Sequence, residues 1–114
     1  MMKFEDKFSL PLEWISDETK RIVESCREIV ESEIIPIRHE LDEDWKDHKI
    51  YTKILKIIML DFGLQCAPWP KKYGGFDLDA ITSCLCLEEM SRGDAGLATA
   101  ASVTNWAFLP ILAP

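Results

Sequence analysis

Apolar residues return every three or four positions after Ser16 and Asp17. Ile22, Val23, Cys26, Ile29, Val30 and Ile34 follow that spacing, with Glu24, Arg27, Glu28 and Glu31 between them. A helix gathers such positions on one face. The pattern predicts an amphipathic helix over residues 17–35, with Ser16 and Asp17 as good caps and Pro36 as its stop. Pro36 also suits the start of a second, short helix. There Ile37 and Leu41 point inward, and Arg38, His39, Glu40, Asp42, Glu43 and Asp44 face water.

Thr52 is a candidate cap for a third helix. Ile54, Leu55, Ile57, Ile58, Met59, Leu60 and Phe62 make it apolar on nearly every side, so it is expected to be central. Its β-branched content makes a strand conceivable, but the unalternated run and Gly63 at a C′ position favour a helix. Residues 65–76 read as a loop, because Pro68, Pro70 and the Gly74-Gly75 pair break regular structure. Asp77 or Asp79 then caps a fourth helix, with Ile81, Cys84, Leu85 and Leu87 as its apolar positions and an end near Arg92 and Gly93. Asp94 caps a fifth, from Ala95 to about Phe108. No strand pattern survives, so the expected fold class is all-α: a bundle of about five helices with one long ordered loop, a single domain over residues 1–114.

From Ala95 to Pro114 no residue is charged. A run of this length is enough to cross a bilayer, at about 20 residues. Thr99, Ser102, Thr104 and Asn105 are polar, however, and Pro110 and Pro114 break the run. The expectation is a soluble helix buried on all sides within a larger protein, and a chain incomplete as a functional unit.

Composition narrows the classes further. At 47% hydrophobic residues the 114-residue chain has enough apolar surface to fold. Its net charge of −7 argues against nucleic acid and anionic membrane surfaces, which need a basic face. The start, Met1 to Lys7, carries acids where a secretory signal has a basic region and then an apolar run. The four cysteines, Cys26, Cys66, Cys84 and Cys86, therefore read as reduced, mostly buried thiols in a cytoplasmic protein. Cys84-x-Cys86 lacks the two further ligands a metal pair needs.

Catalytic groupings are few. His39 and His48, the two histidines, lie in a charged stretch and read as solvated. There is no H-E-x-x-H, G-x-S-x-G, P-loop or G-x-G-x-x-G. Neighbours on a helix point about 100° apart, so Glu88 and Glu89 do not share one site. A structural ion pair with Arg92 is expected instead. Gly74-Gly75 reads as a tight turn with positive φ, and Trp69, Tyr73 and Phe76 as anchors of the loop on the bundle. No catalytic, cofactor-binding or metal-binding residue is assigned.

Several segments then occur in a telling order. They are Phe62-Gly63-Leu64, Pro70-Lys71-Lys72-Tyr73-Gly74-Gly75 and Glu88-Glu89-Met90-Ser91-Arg92-Gly93-Asp94-Ala95-Gly96. Together they resemble the N-terminal helical domain of the acyl-CoA dehydrogenase family, with its G-L, its P-E-x-Y-G-G loop and its E-E-x-S-x-x-D-x-G junction. Glu33-Ile34-Ile35-Pro36 and Leu41-Asp42 resemble the family's first helices. The likeness covers residues 16–112. Lys71 stands where the family often has Glu, and Asp77 where it often has Gly.

The resemblance implies FAD as cofactor and an acyl-CoA thioester as substrate. A base takes the Cα proton and the flavin takes a hydride from Cβ. It also implies a middle β-domain with most flavin contacts and a C-terminal helical domain with the glutamate base. Neither is within residues 1–114, so the chain alone is expected to perform neither step and to bind no flavin. What it implies here is a wall of the acyl pocket, carried by Ala98, Thr99, Ser102 and Trp106, which share roughly one helix face. Each reads equally well as plain helix core. Expected partners are the remaining dehydrogenase domains, or a partner subunit, covering residues 95–114, and an oligomer. The alternatives are a non-catalytic helical interaction module, a small subunit of a split dehydrogenase, and a membrane-anchored helical protein.

Overall fold

A computed structural model describes residues 12–112, and every structural statement below concerns those residues. The acidic start read above, and Ala113 and Pro114, lie outside them. Five α-helices pack around one core, joined by short 3-10 and π turns, and no strand occurs among the described residues.

Helix α1, Asp17–Ile29, begins where Ser16 Oγ accepts the Thr19 N–H at 3.0 Å. Val23, Cys26, Val30 and Ile34 form its buried seam. Pro36 does not stop the helical path. Val30–Ile34 widens into a π turn and Ile35–Ile37 tightens into a 3-10 turn, which leads directly into α2, Arg38–Glu43. The wider turn relieves the clash between the proline ring and the carbonyl four residues back.

Helix α3 runs Lys49–Lys56 and continues as a π-helical segment, Ile57–Asp61. Thr52 lies inside it and does not cap it. Asp44 does that work from the preceding turn: its carboxylate accepts the Lys49 N–H at 3.2 Å and the Tyr51 N–H at 2.9 Å. The central position expected for it is only partly realised: among the α-helices its main packing is against α2 and α5. Ile54, Ile58 and Met59 are buried, but Leu60 is 61% exposed.

Gly63, at φ +83°, ends this helix as the sequence predicts. Residues 65–76 are not wholly irregular. Short 3-10 turns at Leu64–Cys66 and Lys71–Tyr73 fold the loop back on itself. The Asp77 N–H meets Trp69 O at 2.9 Å and the Leu78 N–H meets Ala67 O at 3.0 Å. Gly74 takes φ +84°, and at Gly75 a Cβ would stand 2.0 Å from Trp69 O. Of the three aromatic anchors expected, Trp69 packs edge-on to Phe108 of the last helix, with centroids 5.5 Å apart. Tyr73 and Phe76 are about half exposed.

Helix α4, Ala80–Gly93, is capped by Asp79, whose Oδ1 accepts the Thr82 N–H at 2.7 Å. Asp77 instead takes a left-handed turn. The inward face is not the one that apolar spacing suggests. Ile81 and Cys84 are exposed, while Thr82, Leu85, Cys86, Glu89, Met90 and Gly93 are buried. Close packing against α1 selects this register. A Cβ on Gly93 would lie 2.9 Å from Val30 Cγ1 and 3.1 Å from Ile34 Cγ2, so only a bare backbone fits.

Asp94 is the single residue between α4 and α5, Ala95–Leu112, and its Oδ1 caps α5 through the Leu97 N–H at 2.7 Å. This helix extends past Phe108 and through Pro110. Only Leu97, Ala98 and Ala101 are buried in it. The helix expected to be buried on all sides is covered on only one face of its first half: Ala95, Gly96 and Thr99 are exposed beside the buried Leu97, Ala98 and Ala101. By length and composition it is the one described helix able to cross a membrane.

Candidate functional site

The projecting half of α5 forms one wall of a groove of about 470 Å³. Helix α4 forms the opposite wall, and Leu64, Ala67 and Pro68 close the floor. The geometry follows from the helical period. Ala101, Ser102, Asn105, Trp106 and Leu109 fall on one side of α5 and all line the groove.

The four residues expected on this wall are split by their height along the helix. Ser102 and Trp106 line the groove, and Trp106 is 62% exposed. Ala98 shares their angular sector but sits about 6 Å nearer the helix start than Ser102, inside the bundle core. Thr99 is exposed at the sector's edge and its hydroxyl donates to Ala95 O at 2.8 Å. Ser102 Oγ donates to Thr99 O at 2.8 Å. Sequence reasoning missed Asn105 on this wall and Ser83, Cys84 and Leu87 opposite. The signal for Asn105 was present, because it lies three residues beyond Ser102 in the same series. The α4 residues depended on a register that apolar spacing misplaced.

A second cavity of about 380 Å³ lies between α1 and the 62–78 segment, with Glu18, Ser25 and Lys71 among apolar neighbours. The groove along α5 is lined by no carboxylate, histidine, lysine or arginine. Glu88 is exposed, and Glu89 is buried between two arginines. Its Oε1 meets Arg27 at 2.9 Å and its Oε2 meets Arg92 Nε at 3.0 Å. Arg92 also meets Glu31 at 2.8 Å. Burial alone lowers the pKa of Arg92, and the carboxylates of Glu89 and Glu31 more than offset it, so the net shift is upward. This is an ion network joining α1 to α4.

The thiols do not converge. Cys26 and Cys86 are buried, Cys66 is half-buried and Cys84 is exposed. The Cys26 thiol is pushed up by its hydrogen bond with the Cys86 side chain and by burial, which keeps it protonated. Among the described residues no group of three or more His, Cys, Asp or Glu is placed to hold a metal. His39 and His48 are both exposed.

An uncharged helix beside a broad-floored apolar groove, reached through a D-x-G junction, defines a class. The family model described as acyl-CoA dehydrogenase, N-terminal domain, matches residues 16–113, and the chain belongs to that family. Among individual proteins, it is 37% identical over 90 residues to the rat mitochondrial short-chain specific acyl-CoA dehydrogenase, covering 78% of this chain and 21% of that protein. Its human counterpart is 34% identical over 92 residues, covering 80% and 21%. A probable acyl-CoA dehydrogenase of Bacillus subtilis is 32% identical over 77 residues, covering 68% and 12%. The chain thus spans about a fifth of the length of its mammalian relatives. No solved structure matches it.

Proposed function

We propose that this chain supplies one wall of the acyl pocket of an FAD-dependent acyl-CoA dehydrogenase. Ser102 and Trp106 stand on that wall, whereas Ala98 lies in the bundle core and Thr99 at the exposed edge of the same sector. The observation that supports this is the apolar groove along uncharged α5, in a chain of this family. Its volume falls in the range of small-ligand sites, roughly 300–1,000 Å³. The names of the rat and human relatives specify short-chain substrates, so a short acyl-CoA thioester is the substrate class we assign. The part played by these residues is to bind the acyl chain, set its length against Trp106 and exclude water from it.

We assign no flavin contact to the described residues; of the glycine pair, Gly74 is open and Gly75 is crowded. A pyrophosphate cradle needs glycine backbone open to the ligand. Gly75 is instead pressed against Trp69 O, so the glycine pair serves to close a turn. No catalytic step is assigned to this chain, and we place flavin and base on other domains of the complete, oligomeric enzyme. The four free thiols support a reducing, cytoplasmic setting.

The test uses the protein carrying this sequence, isolated intact from its source. A visible flavin spectrum that bleaches when a short saturated acyl-CoA is added without oxygen is the expected result. A colourless protein, or a yellow one that no acyl-CoA bleaches, refutes the assignment.

A further inference from the structure

The two cavities of this fold share a wall. Leu64, Ala67, Leu78 and Cys86 line both the groove between α4 and α5 and the second cavity beside α1. At these residues the groove is backed by a further space of about 380 Å³. Ala101 also lines the groove, but behind it lies the bundle core.

The four residues differ in what they contribute. Ala67 has no side chain beyond Cβ, and its carbonyl accepts the Leu78 N–H at 3.0 Å. Cys86 is 1% exposed on α4, and its carbonyl accepts the Cys26 thiol at 3.5 Å. Neither has side-chain bulk to give up. Leu64 and Leu78 are half-buried and carry the long side chains of the wall. Leu78 lies outside any helix, next to the Asp79 cap. Its backbone bond to Ala67 needs no side chain, so the segment stays in place when the leucine is shortened. A leucine shortened in a packed core leaves a closed void. Shortened where a second cavity lies behind it, the same leucine opens a way through. Beyond the wall stand Ile22, Phe62 and Phe76, apolar surface suited to further methylenes, beside the exposed Glu18, Ser25 and Lys71.

We propose that Leu64 and Leu78 set the depth of the acyl groove: they are the stop that divides it from the cavity beside α1, and the acyl length accepted is decided at this wall. This rests on the acyl-pocket reading above and names specificity-determining residues for it. Trp106 bounds the chain on the α5 side, and the two leucines bound it at the floor.

The experiment is calorimetric titration of the intact protein with saturated acyl-CoAs of increasing length. Each methylene taken from water tightens binding about fourfold. In the unaltered protein that rise is expected to stop at one length, where the chain meets the wall. Leu78→Ala should carry the rise on for two or more further carbons. Chains of that length then bind about tenfold tighter or better than they do to the unaltered protein. Leu64→Ala addresses the same wall should Leu78→Ala fail to fold, and far-UV circular dichroism identifies a folded variant. Ser25→Phe crowds the second cavity alone, and added to either leucine variant it should restore the original stop. A rise without a stop in the unaltered protein, a stop left at the same length in a folded leucine variant, or an extension that Ser25→Phe leaves in place overturns the proposal, while acyl-CoA binding keeps the pocket reading intact. Absence of binding by every acyl-CoA overturns both.

Discussion

Replacing Glu89 is the most exacting test of what holds α1 on α4. Its side chain is 2% exposed and that of Arg27 is 6% exposed, so this pair is effectively withdrawn from water. Glu89→Leu removes the carboxylate that Arg27 meets at 2.9 Å and Arg92 at 3.0 Å. Arg92 retains Glu31, whereas the buried guanidinium of Arg27 loses the carboxylate it meets at 2.9 Å. Breaking a buried pair from one side costs about 3–5 kcal/mol. Against a total stability of about 5–15 kcal/mol, that is a large share. In a chain of this size it lowers Tm by about 12–20 °C. Removing both charges is another matter, since apolar replacement of a buried pair is often neutral. Arg27→Met combined with Glu89→Leu should therefore recover most of the loss. The assay is a double-mutant cycle by urea and thermal unfolding. A cost below about 1 kcal/mol for Glu89→Leu, the scale of a surface pair, would refute the reasoning.

Three further outcomes follow from the geometry. Gly75→Ala forces a Cβ to 2.0 Å from Trp69 O and should cost about 1–3 kcal/mol or more, read as a lower urea midpoint. At Gly74, where the space is open, Ala should cost only the left-handed strain of about 1–2 kcal/mol, and equal costs at the two sites would sink this account. Asp79 is held below its ordinary value of 3.8 by the Thr82 N–H and then by the Thr82 side chain. A depressed carboxylate contributes stability above its unfolded value and loses it as pH falls through the folded one. Asp79→Asn keeps the cap but does not titrate, so melting below about pH 4 should become less pH-dependent; an unchanged profile counts against the cap's role. Finally, Trp106→Ala in the intact protein should lengthen the acyl chains it accepts, and an unaltered chain-length profile would remove Trp106 from the pocket wall.

Most helix starts were legible because caps are local chemistry. Ser16, Asp79 and Asp94 each meet an N–H three residues on, a contact that neighbouring residues alone decide. The cap of α3 was not legible, since Asp44 reaches it across a turn from four residues before the cap position. The inward face of α4 was hidden for another reason. Two of its buried positions, Thr82 and Glu89, are polar and meet Thr19 and Arg27 on α1, more than sixty residues away. Spacing of apolar residues cannot register such pairs. On α5 the period put Ser102 and Trp106 on one sector, and both line the groove. Which part of that sector is covered depends on where α4 and α3 end, and this placed Ala98 in the core.

The one-residue joint at Asp94 makes α5 a lever. Trp106 lies twelve residues beyond it, about 18 Å along the axis. A swing of about 5° at Asp94 therefore carries Trp106 through about 1.6 Å, roughly the advance of one helical residue. The far end of the groove widens or narrows accordingly, while Leu97 and Ala98 beside the pivot barely move. On the acyl-pocket reading proposed above, the width of the groove at Trp106 would therefore respond to the backbone torsions at Asp94, which is not among the residues lining it.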